Sequence, residues 1–120
     1  MKAKILEKSE EAKWEDFIKN HPLATIHQSP NWGHFQAKIP YRGKYWIVVL
    51  EENDKIVGGT MLIKQKIRQK YCWLYAARGP LLQDLNQIEN LLEPIKEIAK
   101  EEKAIFLRID PPLTEEIPTL

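Results

Sequence analysis

The segment KYWIVVL, residues 44–50, constrains this chain more than any other. Its β-branched and aromatic residues favour a strand, and apolar side chains fall at both parities, so both faces must be covered. Such a strand belongs inside a sheet with packed layers on either side. Turn chemistry at Glu52-Asn53-Asp54-Lys55 follows, and residues 55–67 set Val57, Met61, Ile63 and Ile67 on one face against Thr60, Lys64 and Lys66 on the other. That alternation predicts a long antiparallel partner, in which Gly58-Gly59 marks a bulge or a close backbone approach. Residues 71–76 predict a third, aromatic strand, broken by Arg78-Gly79-Pro80.

Punctuation orders the rest. Residues 2–6 predict a short first strand, and Ser9 offers an N-cap for a helix carrying Trp14, Phe17 and Ile18 until Asn20-His21-Pro22 stops it. Ser29-Pro30, a capping hydroxyl with proline at the first helical position, opens a short helix over 30–38. Asp84 with Gln87 has the form of a capping box, and the helix behind it presents Leu85, Ile88, Leu91, Leu92, Ile95 and Ile98. Pro94 lies inside that pattern and predicts a kink or a restart. A strand over 104–109 stops at Pro111-Pro112. The order is β, α, α, β, β, β, α, β, and the helix between the last two strands predicts their parallel pairing. The fold class is α/β (α+β) with a mixed sheet, and 120 residues hold at most one compact domain.

Eighteen basic and 17 acidic side chains leave a net charge of +1, so bulk charge draws the chain to neither nucleic acid nor an anionic membrane, and any basic site must be local. The lone Cys72 excludes an intrachain disulfide, the N-terminus has no apolar signal-peptide core, and no run of about 18 apolar residues exists. These features fit a cytoplasmic protein. His21, His27 and His34 match no compact metal-ligand spacing, and no nucleophile-elbow, Walker or dinucleotide-binding glycine motif is present. Lys64, Lys66, Arg68 and Lys70 recur every second residue, a row that could contact phosphates but reads more plainly as a solvated strand edge. Tyr71, Trp73 and Tyr75 read as core. The outer side of helix 30–38 carries Asn31, His34, Gln36 and Lys38, a donor-rich surface following Gln28-Ser29.

The element order matches the first part of an acyltransferase-type fold of the GNAT kind. Members that use acetyl-CoA have a glycine-rich turn after the fourth strand, whose free N–H groups meet a pyrophosphate. Here that turn reads Ala77-Arg78-Gly79-Pro80-Leu81-Leu82, with one glycine and a proline that has no N–H, so no CoA cradle is expected. Arg78 remains able to meet an anion.

Three stretches, HPLATIHQSPNWGHFQ (21–36), YAARGPLLQD (75–84) and AIFLRIDPP (104–112), resemble in order and spacing the N-terminal part of the FemABX family of peptidoglycan bridge peptidyltransferases, or lipid II aminoacyltransferases. The shared signals are Gln-x-x-x-Trp, an Arg-Gly-Pro turn after an aromatic strand, and a Leu-Arg-Ile-Asp-Pro strand end. The resemblance implies a GNAT-like domain, incomplete here at its C-terminus, with a second domain absent. It implies transfer of an amino acid from aminoacyl-tRNA to the stem peptide of a peptidoglycan precursor, with neither a cofactor nor a metal. Precursor phosphates would be met near His34, Gln36 and Lys38; Arg78, from the reading of its turn above, is the further substrate-binding candidate. His34 stands where such relatives carry lysine, which makes the contact weaker and pH-dependent. The expectation is a fragment that forms part of the precursor-binding wall and does not turn over alone. Alternatives are a CoA-dependent N-acyltransferase and a non-catalytic binding half-domain.

Overall fold

In a computed structural model, which describes residues 1–68 and 70–112, the segment over 44–50 becomes β2 (Tyr45–Glu52), an interior strand between β1 (Lys2–Ile5) and β3 (Lys55–Ile67). The sheet has five strands in the order β1-β2-β3-β4-β5, with β4 at Tyr71–Ala76 and β5 at Ala104–Ile109. Neighbours are antiparallel as far as β4, and β5 then runs parallel to it as the crossover predicts. Both faces of β2 are covered. Val48 and Leu50 pack with Leu62, Leu74 and Ala76 under α3 (Ile88–Glu102), while Ile47 and Val49 pack with Met61, Ile63 and Trp14 on the side of α1 (Glu11–Lys19) and α2 (Pro30–Ala37).

Several local expectations are corrected. Pairing steps from Leu50↔Gly58 to Glu51↔Ile56, so Val57 is skipped and packs on the α3 side instead of with Met61 and Ile63. A bulge turns every side chain before it to the other face. The neighbouring glycine is required: a Cβ on Gly59 would lie 2.6 Å from the Val48 carbonyl oxygen and 2.9 Å from the Trp14 ring. Ser9 is not the cap of α1; it lies in a 3₁₀ turn, Lys8–Glu10, where the Glu10 carboxylate accepts from the Glu7 N–H at 3.2 Å and from Lys4 at 2.8 Å. The N-cap residue of α1 is Glu10, which makes no side-chain cap bond to that helix. Pro94 produces no restart, because it lies with Leu91, Ile95 and Ile98 on the buried side of one uninterrupted helix, where packing outweighs the lost hydrogen bond.

Two surface readings also change. Tyr71 is 54% exposed, and Trp73 stacks on the half-exposed Phe106 at 5.2 Å, because α1 and α2 pack on β2 and β3 and leave this face of β4 and β5 open. The expected basic row is interrupted. Lys64 is partly buried and reaches Glu102 at 2.7 Å, and the strand ends at Ile67, so Arg68 and Lys70 belong to the turn. The capping prediction at Ser29-Pro30 holds, with Ser29 accepting from the Trp32 N–H at 3.1 Å; Asp84 accepts from the Asn86 N–H at 2.9 Å as a capping box, but the element it opens is a 3₁₀ turn, Leu85–Gln87, ahead of α3, and Leu85 is exposed.

Candidate functional site

Gln28 organises the region where α2 meets the turn after β4. It is fully buried, and its side-chain amide donates to the carbonyls of Ala77 at 3.0 Å and Arg78 at 2.6 Å. Its side-chain oxygen accepts from the Thr25 N–H at 2.6 Å, and its backbone carbonyl accepts from the Trp14 indole at 2.5 Å. One residue thus ties α1, the approach to α2 and the β4–α3 turn together, through its backbone carbonyl and its side-chain amide. A buried amide can do this only with both ends satisfied, and no buried side-chain nitrogen or oxygen lacks a partner among the described residues. Arg78 adopts φ 54, a left-handed backbone that non-glycine residues seldom hold without support. Its carbonyl bond to Gln28 supplies that support.

Beside this anchor opens a cleft of about 220 Å³, walled by His27, Trp32 and Gln36 on the α2 side, Ile63 and Gln65 of β3, Tyr75 of β4, and Arg42, Ala77 and Arg78 from the connecting loops. Gln36 is 2% exposed, not part of the outer helix surface as its sequence position suggested, because its side-chain oxygen accepts from the Arg42 guanidinium. That bond aims Arg42 at the cleft wall. The His27 ring meets Trp32 edge to face at 4.9 Å, and its Nδ1 lies 3.0 Å from the Thr25 hydroxyl. Two arginines and no acidic residue line the space, so its chemistry favours an anion with several acceptor oxygens.

Of the sequence-predicted residues, Gln36 and Arg78 meet in this cleft, whereas His34 and Lys38 lie elsewhere on α2. His34 is half exposed and its Nε2 sits 3.0 Å from Glu11, whose other carboxylate oxygen accepts from the Tyr45 hydroxyl at 2.5 Å. Burial, then the bond to Glu11, pushes the Tyr45 phenol well above its ordinary value. Gly33 makes this seam possible, since a Cβ there would lie 2.7 Å from the Tyr45 ring. Lys38 is exposed at the C-cap of α2, its N–H bonded to Phe35 and Gln36 carbonyls. Sequence reasoning missed Arg42, Gln65 and His27 as lining residues; the Gln-x-x-x-Trp spacing, Gln28 to Trp32, was the available signal for the anchor and one wall.

The opening of α3 differs from a phosphate cradle. Its leading 3₁₀ turn, Leu85–Gln87, begins with the Asp84 carboxylate already accepting the Asn86 N–H, and Glu89 adds a second negative charge in the first helical turn. Negative charge where a pyrophosphate would need free donors disfavours CoA. No cluster of three metal-ligating side chains occurs among the described residues, and no helix there is long and apolar enough to cross a membrane.

Comparison with known proteins bears on the same region. The sequence model described as the FemAB family matches residues 9–119. The chain is 33% identical over 98 residues to a protein of Staphylococcus saprophyticus named lipid II:glycine glycyltransferase, and 31% identical over 99 residues to its namesake in Staphylococcus epidermidis. Each match covers 79% of this chain and 23% of the relative, so the chain spans about a quarter of the length of these curated relatives. Among solved structures, one described as FemX superimposes with a TM-score of 0.77 at 24% identity, covering 92% of this chain and 27% of that one. A Trypanosoma brucei acetyltransferase follows at TM-score 0.53 and 13% identity, with 92% and 82% covered. These likenesses show a mixed α/β, GNAT-like fold.

Proposed function

The chain belongs to the FemAB family, and on that premise we propose that it forms part of a bacterial, cytoplasmic aminoacyltransferase that builds peptidoglycan cross-bridges and so supports cell shape. The reaction would move an amino acid from aminoacyl-tRNA to an amine of the stem peptide of a lipid II-type precursor. The amine attacks the ester carbonyl, a C–N bond forms, the ester C–O bond breaks, and the amine's proton leaves as the tRNA hydroxyl is released. Within that enzyme these 120 residues are the N-terminal part of a GNAT-like domain, and their task is to hold the precursor. The relatives' name, lipid II:glycine glycyltransferase, supports a lipid II-type acceptor.

The observation that carries this reading is the convergence of Arg42 and Arg78 on one carboxylate-free cleft, with Gln36 and Gln28 fixing their positions. The cleft suits the phosphates of the precursor, with Trp32 and Tyr75 as apolar walls. His34 and Lys38, on the same helix, are assigned outer contacts to that ligand. Trp32 also gives a readout. Titration with a soluble nucleotide-linked precursor should change tryptophan fluorescence saturably, and Arg42→Ala or Arg78→Ala should each weaken binding about tenfold, the effect of one lost charge-assisted contact. Affinity in both variants equal to that of the unmodified chain would remove the cleft from the site. Acetyl-CoA should not saturate the same signal; saturation would favour a CoA-dependent acyltransferase.

A further inference from the structure

We propose that the β3–β4 hairpin end of the molecule is a docking surface for an anionic lipid bilayer. Three segments meet there. The Tyr41 carbonyl accepts from the Lys66 N–H at 2.8 Å, which lays the loop after α2 beside the end of β3. Ile67 pairs with Tyr71 across the hairpin, and Cys72 pairs with Ala104 while its thiol donates to the Glu102 carbonyl, which brings Lys103 alongside. Lys66, Arg68, Lys70 and Lys103 are all exposed, and none joins an ion pair among the described residues. Glu102 is already taken by Lys44 at 2.9 Å and Lys64 at 2.7 Å, leaving Glu101 as the other carboxylate of this end. In a chain of net charge +1, this end is therefore locally basic.

The apolar component selects a bilayer over a nucleic acid. Tyr41 is 75% exposed, Tyr71 54% and Ile67 36%, and they stand among these cations at the end of β3, the start of β4 and the loop after α2. Tyrosine and an aliphatic side chain among basic residues match the headgroup boundary of a membrane, where amphipathic rings settle and each nearby Lys or Arg raises partitioning by about fivefold. A single-stranded nucleic acid instead favours a groove with stacked aromatic platforms. The stacked pair in this molecule, Trp73 and Phe106, lies on the open sheet face. Tyr41 of the patch directly precedes Arg42, a residue of the cleft wall. The patch would set the cleft close to the plane of the headgroups. The proposal stands on the patch alone and does not require the cleft to bind precursor.

Co-sedimentation with vesicles that contain no precursor tests it. Phosphatidylcholine vesicles with phosphatidylglycerol should retain the chain at low salt, and phosphatidylcholine alone should not. The exposed triple variant Lys66→Gln, Arg68→Asn and Lys70→Gln should keep its thermal midpoint and partition roughly a hundredfold less, about fivefold for each charge removed. Lys66→Arg with Lys70→Arg should partition as the unmodified chain does. Retention that is absent, indifferent to lipid charge, or unaltered in the triple variant would overturn the proposal. So would binding of bulk tRNA that the triple variant loses, if vesicle retention is absent. Because the cleft titration uses soluble ligand and this test uses none, the two readings fail separately.

Discussion

The two sides of the sheet hold spaces of opposite chemistry. Under α3 a nearly apolar space of about 140 Å³ is bounded by Leu62, Ala76, Leu91, Ile95 and Leu107 amid the cluster of Val48, Leu50 and Leu74, with Thr60, whose hydroxyl donates to the Met61 carbonyl, as the polar residue in its wall. On the other side the cleft of about 220 Å³ is walled by arginine, amide, imidazole and aromatic residues, and Gln28 and Gln36 hold the Ala77-Arg78 backbone and the Arg42 side chain there by directed hydrogen bonds. The first side is held by area removed from water, which tolerates small shifts. The second has its own apolar cluster around Trp14 and Met61, but the cleft beside it also depends on geometry, because a buried amide that loses one partner leaves another group unpaired. A site needs the second kind of support, since its cations must be aimed as well as present.

Substitutions that separate stability from ligand binding sharpen this contrast. The largest stability loss is expected on the apolar side: Leu91→Ala removes a side chain that is 1% exposed and should cost about 3 kcal/mol in denaturant unfolding. At temperatures where the variant is folded, its affinity for the nucleotide-linked precursor should be unchanged. Gln28→Ala should cost about 2 kcal/mol by orphaning the Ala77 and Arg78 carbonyls and the Thr25 N–H. Unlike Leu91→Ala, it should also weaken the precursor, since Arg78 loses the bond that holds its backbone. A loss of affinity in Leu91→Ala equal to that in Gln28→Ala would erase the distinction between the two sides.

The smallest effect concerns Glu102. Burial pushes its carboxyl up, but the hydrogen bonds from Lys64 and Lys44 outweigh burial and hold it below its ordinary 4.5. A carboxyl depressed in the folded state adds stability above the unfolded value and loses it as pH falls through the folded one. Stability should therefore drop below about pH 4.5 by no more than about 1 kcal/mol from this group, and Glu102→Gln should remove that part of the acid sensitivity. An unchanged acid profile in Glu102→Gln would show that the pair contributes nothing to it.

The sequence made the frame legible because its signals are local. KYWIVVL with apolar residues at both parities and Ser29-Pro30 each act within a few residues, and each became the element it predicted, while Asp84 with Gln87 formed its capping box on the 3₁₀ turn ahead of α3. The bulge at Val57 was flagged by Gly58-Gly59, but its consequence for facing was not, since register is set by the partner strand. Tyr71 and Trp73 looked like core because composition cannot say where a covering helix stops. The site was half legible. Gln36 and Arg78 carry recognisable context, yet Gln36 turned inward because Arg42, six residues on and outside any motif, offered it a partner. The anchor from Gln28 to the β4–α3 turn spans 49 and 50 residues, a separation that no periodicity encodes.

The most direct measurement is an amide chemical-shift map of the ¹⁵N-labelled chain during titration with the nucleotide-linked precursor. The account predicts saturable shifts clustered at His27, Trp32, Gln36, Arg42, Gln65, Tyr75 and Arg78, with the α3 residues Leu91, Ile95 and Ile98 unmoved. Shifts centred on α3, or none at saturating precursor, would contradict it.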